Sequence, residues 1–154
     1  MVGGIVAGVV LIAATLFGLV RRRRDGVLRP VAGASVPLPG STARTGESPA
    51  AEVLDLESIG AQTGSRATLV QFSTAFCAPC RATKRILGEV AGMVDGVVHV
   101  EIDAEAHLEL VRRFNIMRTP TVLVLDGAGR VVQRAVGQPR KADIIAALGQ
   151  AIPS

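Results

Sequence analysis

From Val2 to Val20 the chain runs nineteen residues without one charged side chain, and then meets Arg21-Arg22-Arg23-Arg24. A helix with this pattern has no polar face to offer water. At about 1.5 Å per residue it just crosses the roughly 30 Å hydrocarbon layer of a bilayer. A cleaved leader would place a basic stretch before a shorter apolar run, whereas here the basic residues come after it. Residues 1–20 are therefore expected to form one uncleaved transmembrane helix, with residues 2–20 in contact with the membrane. Gly4 and Gly8 supply a small-residue pair of the kind that lets such helices approach one another. Positive flanks stay on the cytoplasmic side. A single-pass plasma-membrane protein is expected, its N-terminus outside and the rest of the chain in the cytoplasm.

The arginines also account for the net charge of +4. The first thirty residues hold five arginines against Asp25 alone, and the remainder carries twelve basic and twelve acidic side chains. The basic excess is thus a topology signal, and a nucleic-acid partner, which needs a basic patch on the folded part, is not expected. Residues 21–48 read as this basic segment followed by a tether, because Gly26 to Pro49 is rich in Gly, Pro, Ser and Ala and has little apolar surface to bury.

Residues 49–154 read as one globular domain. Ser48-Pro49 offers an N-cap and a first-turn proline, with Val53, Leu54, Leu56 and Ile59 inward and a stop near Gly60 or Gly64. Strands are expected at 67–72, 97–102, 121–125 and 130–136, and helices at 77–90, 105–114 and from Pro139 onward. Leu108 and Val111 are expected inward on the second of these helices, and Ile144, Ile145 and Leu148 on the last. The order αβαβαββα implies an α/β fold with a four-stranded mixed sheet, its last two strands joined at the turn Asp126-Gly127-Ala128-Gly129.

The chain has two cysteines, Cys77 and Cys80, in Phe76-Cys77-Ala78-Pro79-Cys80. A disulfide scaffold would spread more cysteines along the chain, and a structural zinc site takes four ligands. His99 and His107 have no close spacing to the cysteines, so no metal and no cofactor is expected. The pair falls where a strand gives way to a helix. N–H groups and the helix dipole favour an anion there, and the thiolate is the nucleophile of disulfide exchange. Cys80, one turn inward, is placed to resolve the mixed disulfide. Pro79 loses little by lacking an N–H in a first turn, and stiffens the loop.

Residues 51–151 resemble the thioredoxin family. Phe76-Cys77-Ala78-Pro79-Cys80 is similar to the family's Trp-Cys-Gly-Pro-Cys, Thr119-Pro120-Thr121 to its cis-proline segment, and Gly137 to a glycine near its site, while Ile102-Asp103 ends the second strand as the family's Asp does. The resemblance implies a thioredoxin-like fold and a cis Thr119–Pro120 bond packed against the cysteines. It also implies that Phe76, Ala78, Pro79, Thr119, Pro120 and Gly137 form the substrate surface, with the backbone of Thr119 pairing with substrate. Where the family often has a buried Asp, this chain has Gln71, which cannot take a proton. At the family's Lys position stands His99, whose unperturbed pKa near neutrality suits a proton acceptor for Cys80. The other reading of His99 is an ordinary hydrogen-bonded strand residue.

The expected function is reduction of disulfide-containing protein substrates by Cys77 and Cys80 at the membrane, with a reductase or membrane electron carrier restoring the dithiol. The competing expectation is a redox-inactive thioredoxin-like binding module tethered there. A third places the domain outside, where it would resemble the tethered reductants of cytochrome maturation.

Overall fold

The computed structural model describes residues 2–31 and 52–152, with the side chains of 2–5 and 21–24 excepted. Ser48-Pro49 and most of the expected tether lie outside the described residues. α1 (Val2–Arg24) is followed by β1 (Leu28–Pro30), a 3-10 turn (Glu57–Ile59), β2 (Ala67–Ser73), α2 (Ala78–Ala91), β3 (Val97–Asp103), α3 (Leu108–Arg113), β4 (Thr121–Asp126), β5 (Val131–Val136) and α4 (Lys141–Ala151). The sheet order is β1-β5-β4-β2-β3, with β2–β3 parallel and the other pairs antiparallel.

Strands β2 and β4 are central, and both are buried along their whole length. That is why they read as nearly unbroken apolar runs and not as alternating ones. Two cores lie on the two faces. Leu69, Leu87, Val90, Val124, Ile144 and Leu148 pack between the sheet and α2 with α4. Leu54, Leu56, Phe72, Ile102, Phe114 and Leu123 fill the opposite face. On α2 the buried side chains are Cys80, Thr83, Leu87 and Val90, a stripe at helical spacing that carries the resolving sulfur into the interior.

Several expectations need correction. The sheet has five strands, because the start of the expected tether is an edge strand. Leu28, Arg29 and Pro30 pair with Ala135, Arg134 and Gln133, and Val31 N–H bonds to Val132 C=O. Without this cover β5 would leave an open row of backbone groups, and three residues suffice to pair it. Pro30 is tolerated because an edge strand needs no inward N–H there. The helix expected after residue 49 shrinks, within the described residues, to the 3-10 turn ended by Gly60 at φ 71°. Leu54 and Leu56 are buried but Val53 is exposed, bridging to Arg130 as extended chain. α3 begins only at Leu108, which is exposed; Val111 turns toward the core as expected, with Leu110 beside it. Pro139 precedes α4, whose N-cap is Arg140, and Ile145 lies outward.

In α1 the apolar side chains of the successive residues Val9, Val10, Leu11 and Ile12 are 61–68% exposed. Successive residues point about 100° apart, so this helix is apolar on every side. Among the described residues no helix is long and apolar enough to cross a membrane.

Candidate active site

Three strand ends meet at one edge of the domain. β2 runs out at Ser73, β4 begins at Thr121, and β5 ends at Val136. The segments just beyond them hold Cys77, Pro120 and Gly137, so residues as far apart in sequence as Thr74 and Thr119 become neighbours. The Thr119–Pro120 bond is cis, as the resemblance implied. Pro120 C=O accepts Gly137 N–H at 2.8 Å, Thr121 Oγ1 donates to Arg118 C=O at 2.7 Å, and the hydroxyls of Thr74 and Thr119 lie 3.2 Å apart. Among the described residues no hydrogen bond engages the N–H or C=O of Thr119, which leaves both for another strand.

Cys77 is the N-cap of α2 and Pro79 lies in its first turn. Cys77 and Cys80 are joined by a disulfide with a Cα separation of 5.2 Å. The two sulfurs differ in access. Cys77 is half-buried, whereas Cys80 is only 2% exposed. Cys80 N–H donates to Cys77 Sγ at 3.2 Å. Together with the helix dipole, this bond favours negative charge on that sulfur once the disulfide is opened. Phe76 is fully exposed, as befits a rim that meets a partner. Pro79, Thr119, Pro120 and Gly137 line one cleft of about 1220 Å³, while Phe76 and Ala78 stand outside that lining.

Beneath α2 the site is polar and buried. Gln71, fully buried, donates from Nε2 to Cys80 C=O at 2.9 Å. This ties the resolving cysteine to β2 and explains how a glutamine occupies the position. Gln71 Oε1, Thr83 Oγ1 and His99 Nε2 are buried with no hydrogen-bond partner. Buried polar atoms are nearly always paired, so such atoms invite a functional account. His99 lies on β3 in register with Leu69. Burial holds its pKa below the ordinary value; the Glu101 carboxylate opposes this in part and the Lys84 ammonium adds to it. His99 is thus kept neutral near pH 7, the state in which it can take a proton. Among the described residues no hydrogen bond joins it to either cysteine.

Two groups were not foreseen from the sequence. Glu101 accepts from Ser73 Oγ and from Lys84 Nζ, both at 2.6 Å. Burial pushes its carboxyl up, but these two hydrogen bonds and the nearby Lys84 and His99 charges together hold it below the usual value. Asp25 and Arg118 form an ion pair beside Gly137. Neither pair has a local spacing that a sequence could signal, since each joins distant elements.

A parallel–antiparallel α/β sheet with a redox pair at a helix N-terminus, facing a cis-proline, defines a class of dithiol oxidoreductases. The thioredoxin family model matches residues 57–150. The chain belongs to the thioredoxin family, and it is a thiol–disulfide oxidoreductase acting through Cys77 and Cys80. Thioredoxin of Bacillus subtilis is 33% identical over 88 residues, covering 56% of this chain and 84% of that one. The bifunctional thioredoxin reductase/thioredoxin of Mycobacterium leprae is 29% identical over 91 residues, 58% of this chain; the match spans 20% of that longer protein. Among solved structures, the reduced thioredoxin pre-protein of Schistosoma mansoni superposes with a TM-score of 0.53 at 25% identity, over 63% of this chain and 90% of that one.

Proposed function

We propose that the chain reduces disulfides of other proteins at the cytoplasmic face of the plasma membrane, held there by residues 2–20. One observation carries the chemistry: an accessible Cys77 at a helix N-terminus is bonded to a buried Cys80, beside an unpaired Thr119 backbone. In the reduced protein the Cys77 thiolate attacks a substrate disulfide. A new bond forms between Cys77 and one substrate sulfur, and the other sulfur leaves as a thiolate that takes up a proton. The Cys80 thiol then gives its proton to His99 and attacks Cys77 Sγ, releasing the second substrate sulfur. Two electrons have passed to the substrate and the Cys77–Cys80 disulfide remains. A reductase or membrane electron carrier restores the dithiol.

Gln71 cannot accept a proton, and the Glu101 carboxylate is engaged by Ser73 and Lys84, so the base assigned here is the neutral imidazole of His99, whose Nε2 has no partner. Thr119, Pro120, Pro79 and Gly137, which share the cleft, receive the substrate chain, with Phe76 and Ala78 at its rim. The anchor reading rests on the uncharged run from Val2 to Val20, the arginines behind it, and an α1 apolar on every side.

Purified full-length protein in detergent should reduce insulin with dithiothreitol as electron source. Cys80→Ser should accumulate a mixed disulfide with substrate that Cys77→Ser does not form. Failure of the intact protein to reduce any disulfide sinks the reading. Protease protection of the domain in intact cells, against cleavage in inverted vesicles, tests the cytoplasmic placement; the opposite pattern reverses it.

A further inference from the structure

The match to the thioredoxin family begins at residue 57, yet the substrate cleft has a wall that comes from well before it. Asp25, Val27 and Leu28 line this cleft together with Pro79 and Ile86 of α2 and with Thr119 and Pro120. The wall is seated by specific contacts. Gly26 N–H bonds to Val136 C=O at 2.7 Å, and β1 continues the pairing along β5. Gly26 is buried at φ 79°, and a Cβ there would run into the carbonyl of Gln138. From the other side, a Cβ on Gly137 would lie 3.2 Å from Gly26 N and 3.3 Å from Asp25 Cβ. Two glycines therefore stand back to back, and only their lack of side chains lets the segment lie so close to the site. The Asp25–Arg118 ion pair fastens the segment to the residue immediately before Thr119.

We propose that residues 25–28 are a built-in wall of the substrate groove. An extended stretch of the substrate protein lies between this wall and Pro79, with an apolar side chain next to its cystine set against Val27. This rests on the reductase reading above and refines it: the preferred substrates are protein disulfides flanked by apolar residues, and small-molecule disulfides gain nothing from the wall. Val27 is 46% exposed, so it has surface left to give to a partner. Gly26 is a positioning residue, acting through the segment it seats.

The test compares kcat/KM for insulin with kcat/KM for hydroxyethyl disulfide, using the full-length chain in detergent. Gly26→Val dislodges the wall, and Val27→Lys alters its face while leaving the backbone pairing in place. In each variant the ratio of insulin to small-disulfide efficiency should fall by about threefold to tenfold, mainly through KM for insulin. Turnover of the small disulfide reports folding in the same tubes. An unchanged ratio in both variants overturns the proposal. So does a rise, which would make the segment a cover over the groove. A wild-type protein inert toward both disulfides would instead overturn the reductase reading.

Discussion

The two sides of the Cys77–Cys80 disulfide are built of different material. Under α2 the surroundings are interior: Gln71 and Thr83 are fully buried, His99 is desolvated, and a polar atom of each lacks a partner. Across the sulfurs, toward Thr119 and Gly137, the chain presents backbone, glycines and the Asp25–Arg118 pair around an open cleft. One side is suited to moving a proton, the other to holding a peptide. The contrast teaches that chemistry and recognition are separable here, so a variant on one side should change a different observable from a variant on the other.

The largest expected effect tests whether both sides serve the same two sulfurs. Cys77→Ser should lower insulin reduction by about a thousandfold or more, to the background of the reductant alone. On the buried side, His99→Gln should slow release of the mixed disulfide by about tenfold and flatten its dependence on pH, as followed by rapid quench. An unaltered pH profile would assign the base elsewhere. On the open side, Asp25→Ala should cost about twofold in KM for insulin, since an exposed ion pair is worth only about 0–1 kcal/mol. Should Asp25→Ala change the pH profile, the separation of the two sides would fail.

Two stability measurements sharpen the same contrast. The pKa of His99 is lower folded than unfolded, so the unfolded chain takes up the proton first as pH falls. Its contribution is complete above the ordinary value of 6.5 and is lost as pH drops through the lowered folded value. Denaturant titrations of His99→Gln should accordingly vary less with pH below about 6.5 than those of the wild type. The smallest effect is expected at Thr83, whose buried hydroxyl has no partner. Thr83→Val should leave stability unchanged or raise it by about 1 kcal/mol, read from the denaturation midpoint. A clear loss would mean that the hydroxyl is bonded in solution.

Much of the domain was legible in the chain. The central strands announce themselves as apolar runs because both faces are covered, and α2 because its buried stripe repeats at helical spacing. The cysteines, Thr119-Pro120 and Gly137 were each picked out by short motifs. Leu108 and Ile145 were not placed correctly, because in short helices the inward face is chosen by the sheet they settle on. The edge strand at Leu28–Pro30 was read as tether for a related reason: three residues carry no periodicity, and what orders them is the unpaired edge of β5 more than a hundred positions away.

The sequence by itself determined the order of helices and strands from β2 to α4, the redox pair at a strand-to-helix junction, and the uncharged run closed by four arginines. These are local properties, set by neighbouring side chains and the period of burial. Only the tertiary structure decided that Asp25 meets Arg118, that Gly26 lies against Gly137, that Gln71 holds Cys80 while His99 stays unpartnered, and that the start of a linker becomes the wall of a cleft. Each of these depends on chain segments that are remote in sequence, and such contacts leave no local pattern because they are selected by the folded surface on which the residues land.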